Sequence, residues 1–324
     1  MSSSPTPLTP SSRRTAYILL AMTIAFGSVA FTLVKLALKE MTPVSLATGR
    51  VVVSALVFTA VVMRSPHRRR PIDAGDRVRV LLCGFGGSAV FHLLFSWGQL
   101  HVSVAVASVI MATFPVMVAI GEVAFLHHRL HRPQVAGLVL ATTGCAVIGI
   151  AGGGSAPGST IAGMIAVGLS TLTWAGVTVA TRSIADRYDP WWLNTPGTVI
   201  GAVFILLIDL PHLHEFASLS LKAWIAVIWL GSASSAFIYF AMARVMTVVS
   251  ATTTASISTV VTPTSVMVAW AVLGNAPSPT EVVGGLVVIA GVVLAAQRGT
   301  ATTRAPRPNA LIDGSAPRAG RIGR

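Results

Sequence analysis

Residues 17–63 read YILLAMTIAFGSVAFTLVKLALKEMTPVSLATGRVVVSALVFTAVVM, two apolar runs separated only by Lys39, Glu40, Met41 and Thr42. A bilayer core needs roughly 20 apolar residues per helix, and each run is of that length. The pattern recurs to the end of the chain. Ten runs are counted: Tyr17 to Leu38, Pro43 to Met63, Val80 to Leu100, Ser103 to Leu126, Gln134 to Gly152, Ile161 to Thr181, Trp191 to Leu210, Trp224 to Arg244, Ser250 to Leu273 and Glu281 to Gln297. They occupy about 200 positions at the usual length per span. A chain of 324 residues would otherwise allow two soluble domains, but the connections left over give no room for one.

Composition agrees. Charged residues make up 10% of the chain and hydrophobic residues 53%, with a mean hydropathy of +0.77. A surface facing water carries charge at about 25% of positions, so the outer face of this chain is solvated by lipid. The expected fold class is all-α, a membrane protein of ten transmembrane helices. Arg13 and Arg14 ahead of the first run resemble the start of a signal peptide, but that run is of full spanning length and no small-residue cleavage site follows it. Cys83 and Cys145 lie inside apolar runs, where thiols act as small hydrophobes. No metal-ligand spacing and no phosphate-binding glycine motif occurs, so no cofactor is expected.

The formal charge of +13 would suggest nucleic acid in a soluble protein. Here its distribution is a topology signal, because Lys and Arg beside spans are retained on the cytoplasmic side. With both termini inside, nineteen basic residues fall on one face, and Lys35, Lys39 and Lys222 on the other. Arg50 alone lies within a span. The expected location is the plasma (cytoplasmic) membrane with cytoplasmic termini and no nucleic-acid partner.

Sliding the second half against the first at an offset of 147 aligns Lys35 with Arg182, Pro43 with Pro190, Gly84 with Gly231, Ser88 with Ser235, Ser103 with Ser250, Leu126 with Leu273, Gly137 with Gly284 and Gly144 with Gly291. Pro115 and Pro263 agree within one residue. Each half holds five spans, an odd number, so the second is expected upside down relative to the first. That arrangement belongs to alternating-access transporters, whose substrate site lies near the midplane between the halves. The expected organisation is a disordered cytoplasmic tail at 1–16, repeats at 17–152 and 161–297, and a basic cytoplasmic tail at 298–324.

FLHHRLHRPQVAGLVLATTGCAVIGI from Phe125, VLGNAPSPTEVVGGLVVIAGVVL from Val272 and STLTWAGVTVATR from Ser170 resemble segments of EamA-type transporters of the drug/metabolite transporter superfamily. The likeness runs from about Tyr17 to Gln297. It implies two five-helix EamA repeats, export or exchange of small metabolites such as amino acids or amphipathic drugs, and a cavity lined by the first, third, fourth, sixth, eighth and ninth spans. A glutamate that such repeats usually carry is replaced here by His128 and Asn275, so no role is carried over to those positions.

Ionisable groups inside spans are costly unless paired or solvated, which singles out Arg50, His92 and Glu122. By helical rise, Arg50 and His92 lie about 10 and 12 Å below the outer surface and Glu122 about 28 Å from it, too deep to pair with Arg50. Arg50 either binds a substrate carboxylate through its planar fork or locks helices by bonding carbonyls. His92, Phe95 and Gln99 share a helical stripe suited to a small amphipathic ligand. Glu122 is a candidate for proton coupling, or else a snorkelling residue paired with Arg129.

Pro115 and Pro263 each free a carbonyl, at Met111 and Thr259, as expected for kinked helices lining a cavity; the alternative is a fixed kink capped by hydroxyls. The run Thr252, Thr253, Thr254, Ser256, Ser258, Thr259 and Thr262 either meets ligand, with Ser256 and Thr259 as the candidates, or bonds its own helix. Trp174, about 20 Å along its span, is a cavity wall or plain core. Trp191 and Trp192 are interfacial anchors, and Gly27, Gly84 and Gly87 are sites of helix contact.

The function expected is secondary transport, in the direction of export, of small organic metabolites, amino acids or amphipathic drugs by alternating access. The protein is read as a non-enzyme. Its partners would be a small-molecule substrate, membrane lipid and a proton or exchanged substrate as coupling species, acting as monomer or homodimer. The rival reading is a membrane-embedded enzyme acting on a lipid-linked or apolar substrate, which needs a catalytic constellation that His92, without a carboxylate at its depth, does not supply.

Overall fold

A computed structural model describes residues 10–102, 107, 110–111, 113–127, 130–151, 160–273 and 279–296. Among them all regular structure is helical: α1 (Pro10–Ala37), α2 (Pro43–Arg64), α3 (Ala74–His101), α4 (Phe114–Leu126), α5 (Arg132–Ala151), α6 (Ile161–Ile184), α7 (Pro190–Ile208), α8 (Leu221–Val245), a ninth element in two pieces, α9a (Ala251–Ser258) and α9b (Val261–Leu273), and α10 (Pro279–Ala296). Six of these, α1, α2, α3, α6, α7 and α8, are long and apolar enough to cross a membrane. The first helix starts at Pro10, so residues 10–16, expected in the disordered tail, extend α1. The tail 298–324 lies outside the described residues, as do residues 1–9.

The helix ends are written in local chemistry. Thr42 and Asp189, counterparts at the offset of 147, each precede a proline and each cap the helix that follows, Thr42 Oγ1 accepting from Ser45 N at 3.3 Å and Asp189 Oδ1 from Trp191 N at 3.0 Å. Proline at the first helical position loses no intrahelical bond, so the pair sets the starts of α2 and α7. Ser220 and Ser250 cap α8 and α9a in the same way.

Burial is inverted relative to a soluble protein. Phe125 is 79% exposed whereas Arg50 is 4% exposed, and Leu56, Ile120, Leu172 and Leu207 also face outward. Lipid solvates these side chains, and polar groups turn inward. Contacts between helices rest on glycine. A Cβ on Gly137 would stand 2.4 Å from Ala295 N and one on Gly144 2.7 Å from Gly284 O. As residue numbers rise along α5 they fall along its partner α10, so these two counterpart helices are antiparallel.

Two irregularities mark the helices, of which only the first was not expected from sequence. In α3 and α8 a π-turn interrupts the α-helix, at Gly86–Val90 and Ser232–Phe237, almost the same place in each half. The ninth span is broken at Thr259 and Val260, four residues ahead of the proline expected to bend it. Pro263 cannot donate to Thr259, whose carbonyl instead accepts from Thr262 N at 3.0 Å, a tighter turn that separates α9a from α9b. The start of α4 stands in register with that of α9b: they begin at Phe114 and Val261, 147 residues apart. Pro115 therefore sits in a helix's first turn, where a missing N–H is harmless.

Polar links gather at the two ends of α2. At one, Glu215 Oε2 accepts from Thr42 N at 2.7 Å, Ser45 donates to Asp209 at 3.0 Å, and Glu40 holds Ser220. At the other, Arg68 pairs with Asp189 at 2.7 Å, and Asp76 takes Arg187 at 2.6 Å and the Tyr188 hydroxyl at 2.9 Å.

Candidate functional site

A cavity of about 160 Å³ lies where α1, α2, α3, α6, α8 and the α9 break converge, with Phe114 of α4 and Met111 just ahead of that helix also in its wall. Part of its wall is a continuous set of aromatic rings. The Phe91 ring lies 5.4 Å from Phe95 and 5.3 Å from Trp174, and Trp174 lies 4.9 Å from Tyr239. Phe31 and Phe114 extend this surface at 6.0 and 6.5 Å from Phe95 and Trp174. Trp174 is thus a cavity wall.

At the polar end stand Arg50 and His92. Tyr239 donates to the carbonyl of Gly87, inside the π-turn of α3, and lies 2.9 Å from His92 Nε2. Its single hydrogen is committed to Gly87, so Nε2 carries the imidazole hydrogen toward the phenol oxygen, with Ser235 Oγ also near at 3.3 Å. Nδ1 is then a bare acceptor in the neutral ring, buried and without a partner among the described residues. Arg50 Nε and Nη1 are likewise buried without partners. Gly231 permits this placement, since a Cβ there would stand 2.8 Å from Arg50 O and 2.5 Å from Val53 Cβ.

Of the residues singled out in the sequence, Arg50, His92, Phe95, Trp174 and Thr259 line the cavity. Gln99 and Ser256 are buried outside its wall. Ser256 Oγ bonds Thr252 O at 2.8 Å, and Thr254 and Ser258 bond their own helix similarly, whereas the main-chain carbonyl of Gln99 accepts from Lys35 Nζ at 2.8 Å and the Gln99 side-chain amide is buried without a partner among the described residues. Pro263 is turned toward α10, where a Cβ on Gly285 would meet its Cβ at 3.3 Å; the wall is made by its neighbours Val261 and Thr262. Pro115 is also outside the wall, which its neighbour Phe114 enters.

Glu122 is placed elsewhere altogether. Its carboxylate accepts from Ala251 N and Thr252 N, each at 2.9 Å, and from the Thr252 hydroxyl, so it completes the N-terminal cap of α9a. Its expected alternative partner Arg129 lies outside the described residues, as do His128 and Asn275.

Tyr239 escaped the sequence reading, although it could have been found: it is the counterpart of His92 at the repeat offset of 147. Arg50 has Gly197 as its counterpart, so the charge at the site comes from one repeat only. Among the described residues no three His, Cys, Asp or Glu side chains group as metal ligands.

Residues 14–150 and 161–297 each match the EamA-like transporter family. A protein of Streptantibioticus cattleyicolor named "Probable terminal-alkyne amino-acid exporter" is 31% identical over 284 residues, 86% of this chain and 92% of its own. "Uncharacterized transporter YdfC" of Bacillus subtilis is 27% identical over 288 residues, 86% of this chain and 91% of its own. A crystal structure 19% identical in sequence superposes with a TM-score of 0.72, covering 87% of this chain and 96% of that one, and shares the fold. With both repeats matched, and with helices that turn apolar side chains outward around a polar centre, this multi-pass membrane protein belongs to the EamA-like transporter family.

Proposed function

We propose that the protein is a secondary transporter that exports small organic solutes across the plasma membrane by alternating access, with ten spans in two inverted five-helix repeats and both termini in the cytoplasm. The observation that carries this reading is the cavity itself: both repeats build it, His92 and Tyr239 meet in it as counterparts, and Phe114 and Val261, the first residues of α4 and α9b, reach it in register. Rocking one repeat against the other would open such a site to either side in turn. The antiparallel pairing of α5 with α10 supports the inverted arrangement, and the excess of basic residues on one face supports the orientation. Export, and amino acids among the solutes, are supported by the name of the Streptantibioticus relative.

The test is uptake and efflux of labelled amino acids, organic acids and cationic drugs by proteoliposomes holding the purified chain, with and without a pH gradient. Movement of at least one solute above empty liposomes is expected. If no solute moves under any gradient, the transporter reading fails.

A further inference from the structure

We infer that the solute carries an anionic carboxylate on an apolar body the size of an aromatic ring, with or without a hydroxyl or amino group beside it, the carboxylate being held by Arg50. This rests on the transporter reading of the same cavity and names its substrate class.

The charge of the site requires it. Arg50 is 4% exposed, lines the cavity and leaves Nε and Nη1 without a partner among the described residues. A guanidinium that merely locked helices would spend those hydrogens on carbonyls, and it does not. Nor do the described side chains supply a carboxylate to neutralise it. Glu40 is bound to Ser220, Glu122 to the start of α9a, Asp76 to Arg187, Asp186 to Arg182, Asp189 to Arg68, Asp209 to Ser45 and Glu215 to Thr42 N. Asp73 lies beside Tyr188 on the turn leading into α3. The eight carboxylates whose side chains the structure describes are thus held away from the cavity, and a desolvated cation without a counterion among them favours a ligand that brings one. A planar guanidinium offers a fork of hydrogens matched to a carboxylate.

The remainder of the wall sets the body of the ligand. Phe91, Phe95, Trp174 and Tyr239 give one part of the wall of this largely apolar cavity of about 160 Å³, and an apolar cavity of about 150 Å³ takes up benzene. Beside the arginine, His92 Nδ1 is an unpartnered acceptor, so a hydroxyl or amino group next to the carboxylate adds a hydrogen bond. A cation lacking the carboxylate would instead face Arg50 with like charge.

Four probes of one shape decide the matter: 3-phenylpropionate, phenyllactate, phenylalanine and phenethylamine, each titrated against the full-length protein in nanodiscs by tryptophan fluorescence and tested for counterflow in proteoliposomes. The carboxylates are expected to bind, phenyllactate or phenylalanine more tightly than phenylpropionate, and phenethylamine at least about ten-fold more weakly than any of them, the worth of one charge-assisted bond. Arg50→Gln should weaken the carboxylates about ten-fold or more and, with the like charge removed, bind phenethylamine at least as well as the parent does, with Arg50→Lys intermediate for the carboxylates. Should Arg50→Gln fail to fold, the order of the four probes on the unaltered protein still decides. Phenethylamine bound or moved as well as the acids overturns the anion assignment and leaves the transporter standing; movement of no solute at all removes the transporter reading itself.

Discussion

His92 and Tyr239 hold the same position in the two repeats, 147 residues apart, and lie 2.9 Å from each other across the centre of the protein. Tyr239 also reaches Gly87 O, a carbonyl inside the π-turn of α3, so one phenol joins both halves at the place where each third-type helix departs from α geometry. A π-turn leaves a carbonyl free of its usual partner and widens the helix, which is why such turns recur at functional sites. The site therefore has its strongest internal link at the repeat interface.

Tyr239→Phe tests that link. The ring and its packing on Trp174 stay, but Gly87 O and His92 Nε2 lose a buried partner. Leaving buried polar groups unsatisfied costs about 1–3 kcal/mol, so a lowered melting temperature in detergent is expected, together with slower solute counterflow. A melting temperature and a transport rate equal to those of the parent would show that the bond is not made in the membrane.

Glycine carries the contact between α5 and α10. Gly137→Val would place a Cβ 2.4 Å from Ala295 N and 2.6 Å from Gly291 O. Both are backbone atoms that no rotamer change can move, so the helices must separate. Overpacking of this kind costs about 1–3 kcal/mol, and the rigid neighbours put it at the upper end. The check is the yield of monodisperse protein beside that of Ala136→Val, one position away on the same helix; equal yields would contradict the close approach.

Much of this architecture was legible in sequence because membranes impose it. Span length, basic residues at span ends, and prolines and glycines repeating at 147 are direct outputs of bilayer thickness, charge retention and helix geometry. Arg50, His92, Phe95, Trp174 and Thr259 were found on the same logic and meet in one cavity. What escaped is tertiary. Ser256 and Thr252 sit in the same hydroxyl-rich run as Thr259, yet rotation about the helix axis sends the first to its own backbone and the second to Glu122. No local signal marks a π-turn in GGSAV or SASSAF, because it is fixed by what α3 and α8 pack against.

One end of the bundle should be sensitive to acid. Glu40 bridges the loop after α1 to the start of α8, accepting from Ser220 N at 2.9 Å and from its hydroxyl at 2.8 Å. The backbone bond first, then the hydroxyl, holds the carboxyl below its ordinary value of 4.5. Because the folded pKa is lowered, the contribution is full above that ordinary value and disappears as pH falls through the lowered one. Glu40→Gln should therefore melt below the parent at neutral pH and converge with it in acid. A difference in melting temperature that persists unchanged to low pH would show that ionisation of Glu40 is not involved.

Glu122 distinguishes a helix cap from a proton carrier. As a carrier, its carboxyl would have to face the cavity or a water path; instead it is 2% exposed, with both oxygens taken by Ala251 N, Thr252 N and the Thr252 hydroxyl. The negative charge also lies at the N-terminus of α9a, where the helix dipole favours it. In Glu122→Gln one oxygen still accepts, but the other becomes an amide that points hydrogens at hydrogens. The expected loss is about 1–2 kcal/mol of stability, read as a lower melting temperature, as for removal of a helix cap. Since α9a runs directly into the break that lines the cavity, the solute's apparent affinity should weaken with it. The pH dependence of transport should keep its shape, because the group removed is outside the cavity wall and spent on the start of α9a. A flattened pH profile in Glu122→Gln proteoliposomes, with melting temperature intact, would reverse the assignment and make Glu122 the proton carrier.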